Sequence, residues 1–157
     1  ELYVSNEIKN KFSDKKACFV TLTEDNELRG CIGSLQAHQE LWKDVIDNAI
    51  NAGFHDPRFL PLSSYELFKI KIEISVLSNS KRLNYKDEKD LLNKINKKMG
   101  IILKKGFYSS TFLPQVWEEI HDKIEFLEHL SRKAGLHKDA WKDAEIGYYE
   151  VEKVKEE

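Results

Sequence analysis

From Lys69 to Leu77 the chain alternates strictly, with Ile70, Ile72, Ile74 and Val76 separated by Lys71, Glu73 and Ser75. A period of two puts these sets on opposite faces of a strand, one buried and one wet, the habit of antiparallel sheets. A second pattern has helical spacing. Leu41, Val45, Ala49 and Ala52 recur every three or four residues, and Trp42 and Ile46 widen the stripe. This predicts a helix over 39–52 with Gly53 as its C-terminal stop. Residues 87–98 are amphipathic as well, with Leu91, Leu92 and Ile95 on the inner side.

The remaining segments fill in around these. Ala17–Thr23 is β-branched and aromatic and reads as a strand. Leu28–Leu35 reads as a second strand, bent or bulged by its two glycines, and Asp25-Asn26 supplies a hairpin turn between the two. Ser63-Ser64-Tyr65-Glu66 matches a capping box opening a short helix. Gly100–Lys104 and Phe107–Leu113 are two strands joined through Lys105-Gly106, and Pro114 ends them. A helical turn follows over 115–120. A helix capped at Asp122 runs to Ala134 and stops at Gly135, Trp141 sits on a short turn, and Glu145–Val154 is a last strand. Residues 1–12 are read as a segment with one helical turn. Helices and strands mix without βαβ alternation, which predicts an α+β fold with a largely antiparallel sheet and flanking helices.

Composition narrows the class. The 157 residues are 41% hydrophobic and 33% charged, which fits one globular domain over 1–157 and excludes a disordered chain. Twenty-five basic and 27 acidic residues leave a net charge of −2, so no global basic field points to nucleic acid. The lysines at 94, 97, 98, 104 and 105 are read as a solvated face. No apolar run approaches the roughly 18 residues of a membrane span, and no signal peptide is visible. The chain opens on Glu1 without methionine, so a trimmed protein is expected. Two cysteines, neither in a CxxC pair, argue against zinc and against a disulfide framework, and a reducing, cytoplasmic setting follows.

Candidate chemistry centres on Leu28-Arg29-Gly30-Cys31-Ile32-Gly33. On a regular strand Arg29 and Cys31 share a face, and Gly33 leaves open space beside them. A cation near a thiol lowers its pKa and favours a nucleophile or an anion site. Buried free cysteine and close-packed glycine are the structural alternative. Asp56 and Arg58 form either a loop-bracing pair or part of the same site, with His55 a candidate base for Cys31. Glu73 is a surface charge or a partner for Arg29. His121, His129 and His137 lack the spacing and carboxylates of a metal site, and Ser109-Ser110-Thr111 is a weak oxyanion candidate.

The Leu28–Gly33 segment resembles the signature of the AMMECR family, and the resemblance runs in order along residues 17 to 150. It takes in Phe19-Val20-Thr21-Leu22, Asp56-Pro57-Arg58-Phe59 with Pro61-Leu62, Ile72–Leu77, Phe112–Trp117 and Lys133-Ala134-Gly135-Leu136. It implies one AMMECR domain of two tightly packed parts. It also implies prokaryotic partners, namely a Memo-like protein akin to extradiol dioxygenases and a radical SAM protein, together the AmmeMemoRadiSam system. No cofactor is implied. Two departures stand out. Relatives begin with a further helix before this chain's start, and Ser131 stands where they often carry cysteine.

Two functions are expected from this. One is a pathway component binding a small anionic substrate or partner, with Cys31 as catalytic candidate and Arg29, Gly30, Gly33, Asp56 and Arg58 as binding candidates. The other is a non-catalytic adaptor or regulator in which the signature is a structural element.

Overall fold

The computed structural model describes residues 2–157. The chain separates into two compact units, one running to Asn79 and including Glu152–Glu157, the other Ser80–Val151.

In the first unit, Ser5 caps helix α1 (Asn6–Lys11) by accepting from the Ile8 amide. Strands β1 (Ala17–Glu24) and β2 (Glu27–Gly33) form a hairpin. Its turn residues, Asp25 and Asn26, both have positive φ (52° and 66°), the backbone that tight hairpins demand and that Asp and Asn tolerate. Strand β3 (Ile70–Leu77) pairs antiparallel with β1 along its whole length. Helix α2 (Leu41–Phe54) covers the hairpin's inner face, where Val20, Leu22 and Ala52 are buried with Ile32, Leu62, Ile70, Ile72 and Ile74 against them. The isoleucines of the alternating segment therefore face inward as their period requires.

Two expectations change here. Gly53 does not end α2, which continues to Phe54 and is closed by the His55 amide donating to Asn51 O at 2.8 Å. Gly53 lies buried inside the helix, where a β-carbon would press on the Leu62 side chain. Its smallness serves packing rather than termination. The Ser63–Glu66 box forms only in part. Glu66 Oε2 accepts from the Ser63 amide (2.7 Å) and hydroxyl (3.0 Å), but the Glu66 amide donates to the Ser63 carbonyl rather than to its side chain, and the helix that follows is a single 3-10 turn, Glu66–Phe68.

In the second unit, β5 (Met99–Lys105) and β6 (Tyr108–Phe112) make a hairpin. Strand β7 (Glu145–Lys155) pairs antiparallel with β5, and the two-residue β4 (Lys81–Arg82) pairs with β7, an element too short to show in the sequence. Helix α4 (Lys123–Lys133) opens on Asp122, which accepts from Glu125 N, and is followed by Gly135 at φ 84°. Trp117 stacks on Phe126 with ring centroids 3.6 Å apart, at the centre of a core built from Leu91, Ile95, Ile101, Leu103, Leu127, Leu130 and Ile146. Helix α3 (Glu88–Lys94) is shorter than the 87–98 expected. Ile95 is already extended, and Asn96 folds its side chain onto Lys98 N (2.9 Å), a local bond that competes with helix.

Among the described residues, no helix is long and apolar enough to cross a membrane.

Candidate functional site

The pairing of β1 with β2 is regular from Gly33 to Gly30, but Leu22 faces Gly30 and Thr23 faces Leu28. Arg29 is thus the extra residue of a β-bulge, a device that re-aims a side chain. The shared face expected for Arg29 and Cys31 assumed an unbroken period of two, and the bulge removes that premise. Arg29 turns to the 59–66 segment. Its Nε donates to Glu66 Oε1 at 2.5 Å, and its Nη2 to Leu60 O at 2.8 Å and Glu66 Oε2 at 3.3 Å. The guanidinium also lies 5.8 Å from the Phe59 ring centroid. The hydrogen bond from Arg29, then that from the Ser63 amide, holds the Glu66 carboxyl down at about 2. The expected Arg29–Glu73 pair does not form, because Glu73 lies 3.8 Å from Lys153 Nζ instead.

Cys31 is an edge residue. Opposite Thr21, its peptide groups point away from β1, and an edge strand needs partners for them. Asp56 and Arg58 provide these. Asp56 Oδ2 accepts from Cys31 N at 3.0 Å, and Arg58 Nη2 donates to Cys31 O at 3.3 Å. The two are joined to each other by Arg58 Nε to Asp56 Oδ1 (3.0 Å) and Nη2 to Oδ2 (2.8 Å). One ion pair therefore does the work of a neighbouring strand. The hydrogen bond from Arg58, then that from the Cys31 amide, holds the Asp56 carboxyl well below the usual carboxylate range. The guanidinium next to Cys31 is that of Arg58, whose charge is stabilised first by Asp56.

The thiol itself is half-buried, and its hydrogen-bond partner is Thr21 Oγ1 at 3.2 Å rather than the exposed His55. The space expected beside Gly33 is filled, since a β-carbon there would strike Cys18 O and the Phe19 ring. One on Gly30 would collide with the carbonyl of Ala52 in α2. Both glycines are close-approach positions, where strand, helix and ring meet.

Several residues at the site were not read from the sequence. Glu66 was seen only as a helix cap, and Thr21 only as a strand residue. The buried cluster around Asp44 was missed entirely. Asp44, 2% exposed, accepts from Cys18 Sγ (3.1 Å), Asn48 Nδ2 (3.1 Å) and Gln39 Nε2 (3.1 Å), with His38 Nε2 at 3.6 Å. An Asp and an Asn four apart on the inner face of a helix, at Asp44 and Asn48, were the available signal. Burial pushes the Cys18 thiol up to about 12.

Among the described residues no group of three or more His, Cys, Asp or Glu could hold a metal ion. His129 and His137 lie by Glu125 and Asp139 instead. Ser110 donates to Leu130 O and Thr111 bonds the Tyr149 hydroxyl, so the oxyanion candidate is used in packing. Ser131 is sealed in the core, donating to Leu127 O and accepting from Trp141 N.

An α+β frame of antiparallel strands, carrying a bulged, glycine-bearing edge strand braced by two carboxylate–guanidinium pairs, defines the class of protein. Comparison with known proteins gives it a family. The AMMECR1 family model matches residues 1–154, and the chain belongs to that family. It is 42% identical over 153 residues to Protein Mbar_A1807 of Methanosarcina barkeri, covering 96% of this chain and 75% of the relative. It is 41% identical to Protein NEQ441 of Nanoarchaeum equitans, covering 95% and 84%. A bacterial relative from Aquifex aeolicus is 38% identical, covering 95% and 78%. The crystal structure of the uncharacterized protein PH0010 from Pyrococcus horikoshii is similar at a TM-score of 0.80 and 33% identity, over 100% of this chain and 81% of that one.

Proposed function

We propose that this chain is a non-catalytic adaptor or regulatory component of a modification pathway, acting with Memo-like and radical SAM partners. The Leu28–Gly33 segment is then a structural element that fixes the surface around it. One observation carries this reading: apart from the buried Arg29 Nη1, which has no hydrogen-bond partner, the charge of Arg29 and the peptide groups of Cys31 are engaged within the chain. Arg29 is neutralised by Glu66, and the Cys31 peptide is closed by Asp56 and Arg58. A guanidinium already bonded to its own carboxylate has little charge to offer an incoming anion.

A second reading rests on the thiol. Cys31 is half-buried rather than sealed and is hydrogen-bonded to Thr21. In that reading Cys31 is a covalent or hydrogen-bonding group for a small anionic substrate, framed by Arg29, Gly30, Gly33, Asp56 and Arg58.

The test combines the purified chain with the Memo-like and radical SAM proteins of the same genome. It follows complex formation by size-exclusion chromatography and turnover by cleavage of SAM. The adaptor reading expects a complex, with turnover unchanged by Cys31→Ala. Turnover lost in an intact complex would transfer the function to the thiol. No complex with either protein would sink the adaptor reading.

A further inference from the structure

We propose that His38 is a pH-sensitive latch. As an imidazolium it ties the loop over residues 34–40, between β2 and α2, to the buried carboxylate of Asp44; as a neutral ring it lets that loop loosen. Asp44 and Asp56 are both nearly sealed, at 2% and 4% exposure. Asp56 has a permanent counter-charge in Arg58. The ion pair of Asp44 is with His38, whose Nε2 lies 3.6 Å from Oδ1. The other partners of Asp44, namely Cys18 Sγ, Asn48 Nδ2 and Gln39 Nε2, are neutral donors. A buried carboxylate calls for an opposite charge, and here that charge comes and goes in the range where imidazole titrates.

The ring is placed for its charged form. Nε2 faces the Asp44 carboxylate, and Nδ1 lies 3.5 Å from the carbonyl oxygen of Gln36. Both of these oxygens accept and neither can donate. An imidazolium donates from both nitrogens, whereas a neutral imidazole donates from one and presents a lone pair at the other. Loss of the proton therefore sets a lone pair against one of the two oxygens. Gln36 is also where the loop is folded on itself, since its amide donates to Ser34 Oγ and its carbonyl accepts from the same hydroxyl, both at 3.1 Å. His38 thus joins a local turn to the inner face of α2.

The surrounding charges favour the cation. Asp47 on α2 shares Gln39 Nε2 with Asp44, at 3.0 and 3.1 Å, so two carboxylates stand on this side of the loop. Glu40, on the same segment as His38, is paired with Lys43 of α2 at 3.9 Å, and its backbone bridges Lys15. From β1 the titratable neighbour is Cys18, which donates to Asp44 and adds no positive charge. The His38 side chain is 58% exposed, so protons reach it freely and solvent screening keeps the energy of the pair small. Closure that depends on a bound proton weakens as pH rises.

Amide exchange in the full chain, followed by NMR, tests this. The reporters are the Ser34 amide, which donates to Cys18 O at 3.3 Å, and the Gln36 amide, which donates to Ser34 Oγ at 3.1 Å. After division by the intrinsic exchange rate at each pH, their protection is expected to fall by about fivefold between about pH 6 and about pH 8, the scale that a solvent-screened pair supports. His38→Gln keeps a donor and gives up the charge. At this exposed position the variant retains the wild-type circular dichroism, and its protection is the same at both pH values. Protection that does not fall in the wild-type chain, or that falls as far in His38→Gln, overturns the proposal.

Discussion

Arg58 donates to the carbonyl of Cys31 across 3.3 Å, while its ion-pair partner Asp56 accepts from the amide of the same residue. Two side chains of one loop thereby complete the hydrogen bonding of a strand edge. Removing either should be felt as an unpaired peptide group at a half-buried position. Asp56→Asn keeps an acceptor but discards the charge on which Arg58 depends. Asp56→Ala discards both. The expected order of thermal stability is wild type, then Asp56→Asn, then Asp56→Ala, with the last lower in Tm by several degrees, roughly 3–10 °C for a chain of this size. Differential scanning fluorimetry checks this, and an Asp56→Ala protein that melts with wild type refutes the bracing role.

The same pairs set the response to acid. Both Asp56 and Glu66 are held below their ordinary values in the folded chain, Glu66 moving from 4.5 to about 2. A carboxyl whose folded pKa is depressed contributes stability that is fully present above its unfolded value. That contribution is lost as pH falls through the folded value. The urea midpoint should therefore be level above about pH 5 and fall as pH drops from about 4 toward 2. Arg29→Gln removes the cause of the Glu66 shift, so its acid limb should be shallower. An identical slope in Arg29→Gln and wild type would show that the pair is not coupled to folding.

Thiol chemistry should separate the two cysteines. Cys18 is fully buried, donates to Asp44, and is pushed up to about 12, so it is neither accessible nor ionised at neutral pH. Cys31 is half-buried. Titration with a disulfide reagent should release one equivalent from the native protein and two after unfolding. In Cys31→Ser the native protein should release none. A fast second equivalent in the native state would mean that the strand β1 end opens, which the cluster of Asp44, Asn48 and Gln39 is built to prevent.

The elements were largely legible because their signals are local. The alternating isoleucines, the Asp-Asn turn and the Asp122 cap each act within a few residues, and each appears where the pattern placed it. The site was legible only as a set of residues. Cys31, Asp56 and Arg58 are joined by hydrogen bonds, but through the peptide of Cys31 rather than its thiol, while Arg29 turns to Glu66. A single inserted residue at Arg29 moved its guanidinium from the thiol to Glu66, 37 positions away in sequence. No local rule specifies which carboxylate meets a bulged arginine. The space at Gly33 was misread for a related reason. The Phe19 ring that fills it comes from the neighbouring strand, so its direction depends on register rather than on the glycine.

Gly30 offers the sharpest test of whether the signature is structural. Any β-carbon there would run into the carbonyl oxygen of Ala52 on α2, a backbone atom that cannot move without displacing the helix. Helix and strand are clamped at this point by a buried core of Val20, Leu22 and Ala52, so the clash cannot be relieved by a rotamer change. Overpacking of this kind costs about 1–3 kcal/mol where side chains can shift, and the upper end or beyond applies where only backbone can. Gly30→Ala is therefore expected to lose at least about 2 kcal/mol in urea unfolding. Cys31→Ala, which removes a half-buried sulfur and leaves the backbone hydrogen bonds with Asp56 and Arg58 in place, should lose much less. If instead Gly30→Ala folds with wild-type stability, the helix does not rest on the strand as described, and the case for the segment as a structural brace falls with it.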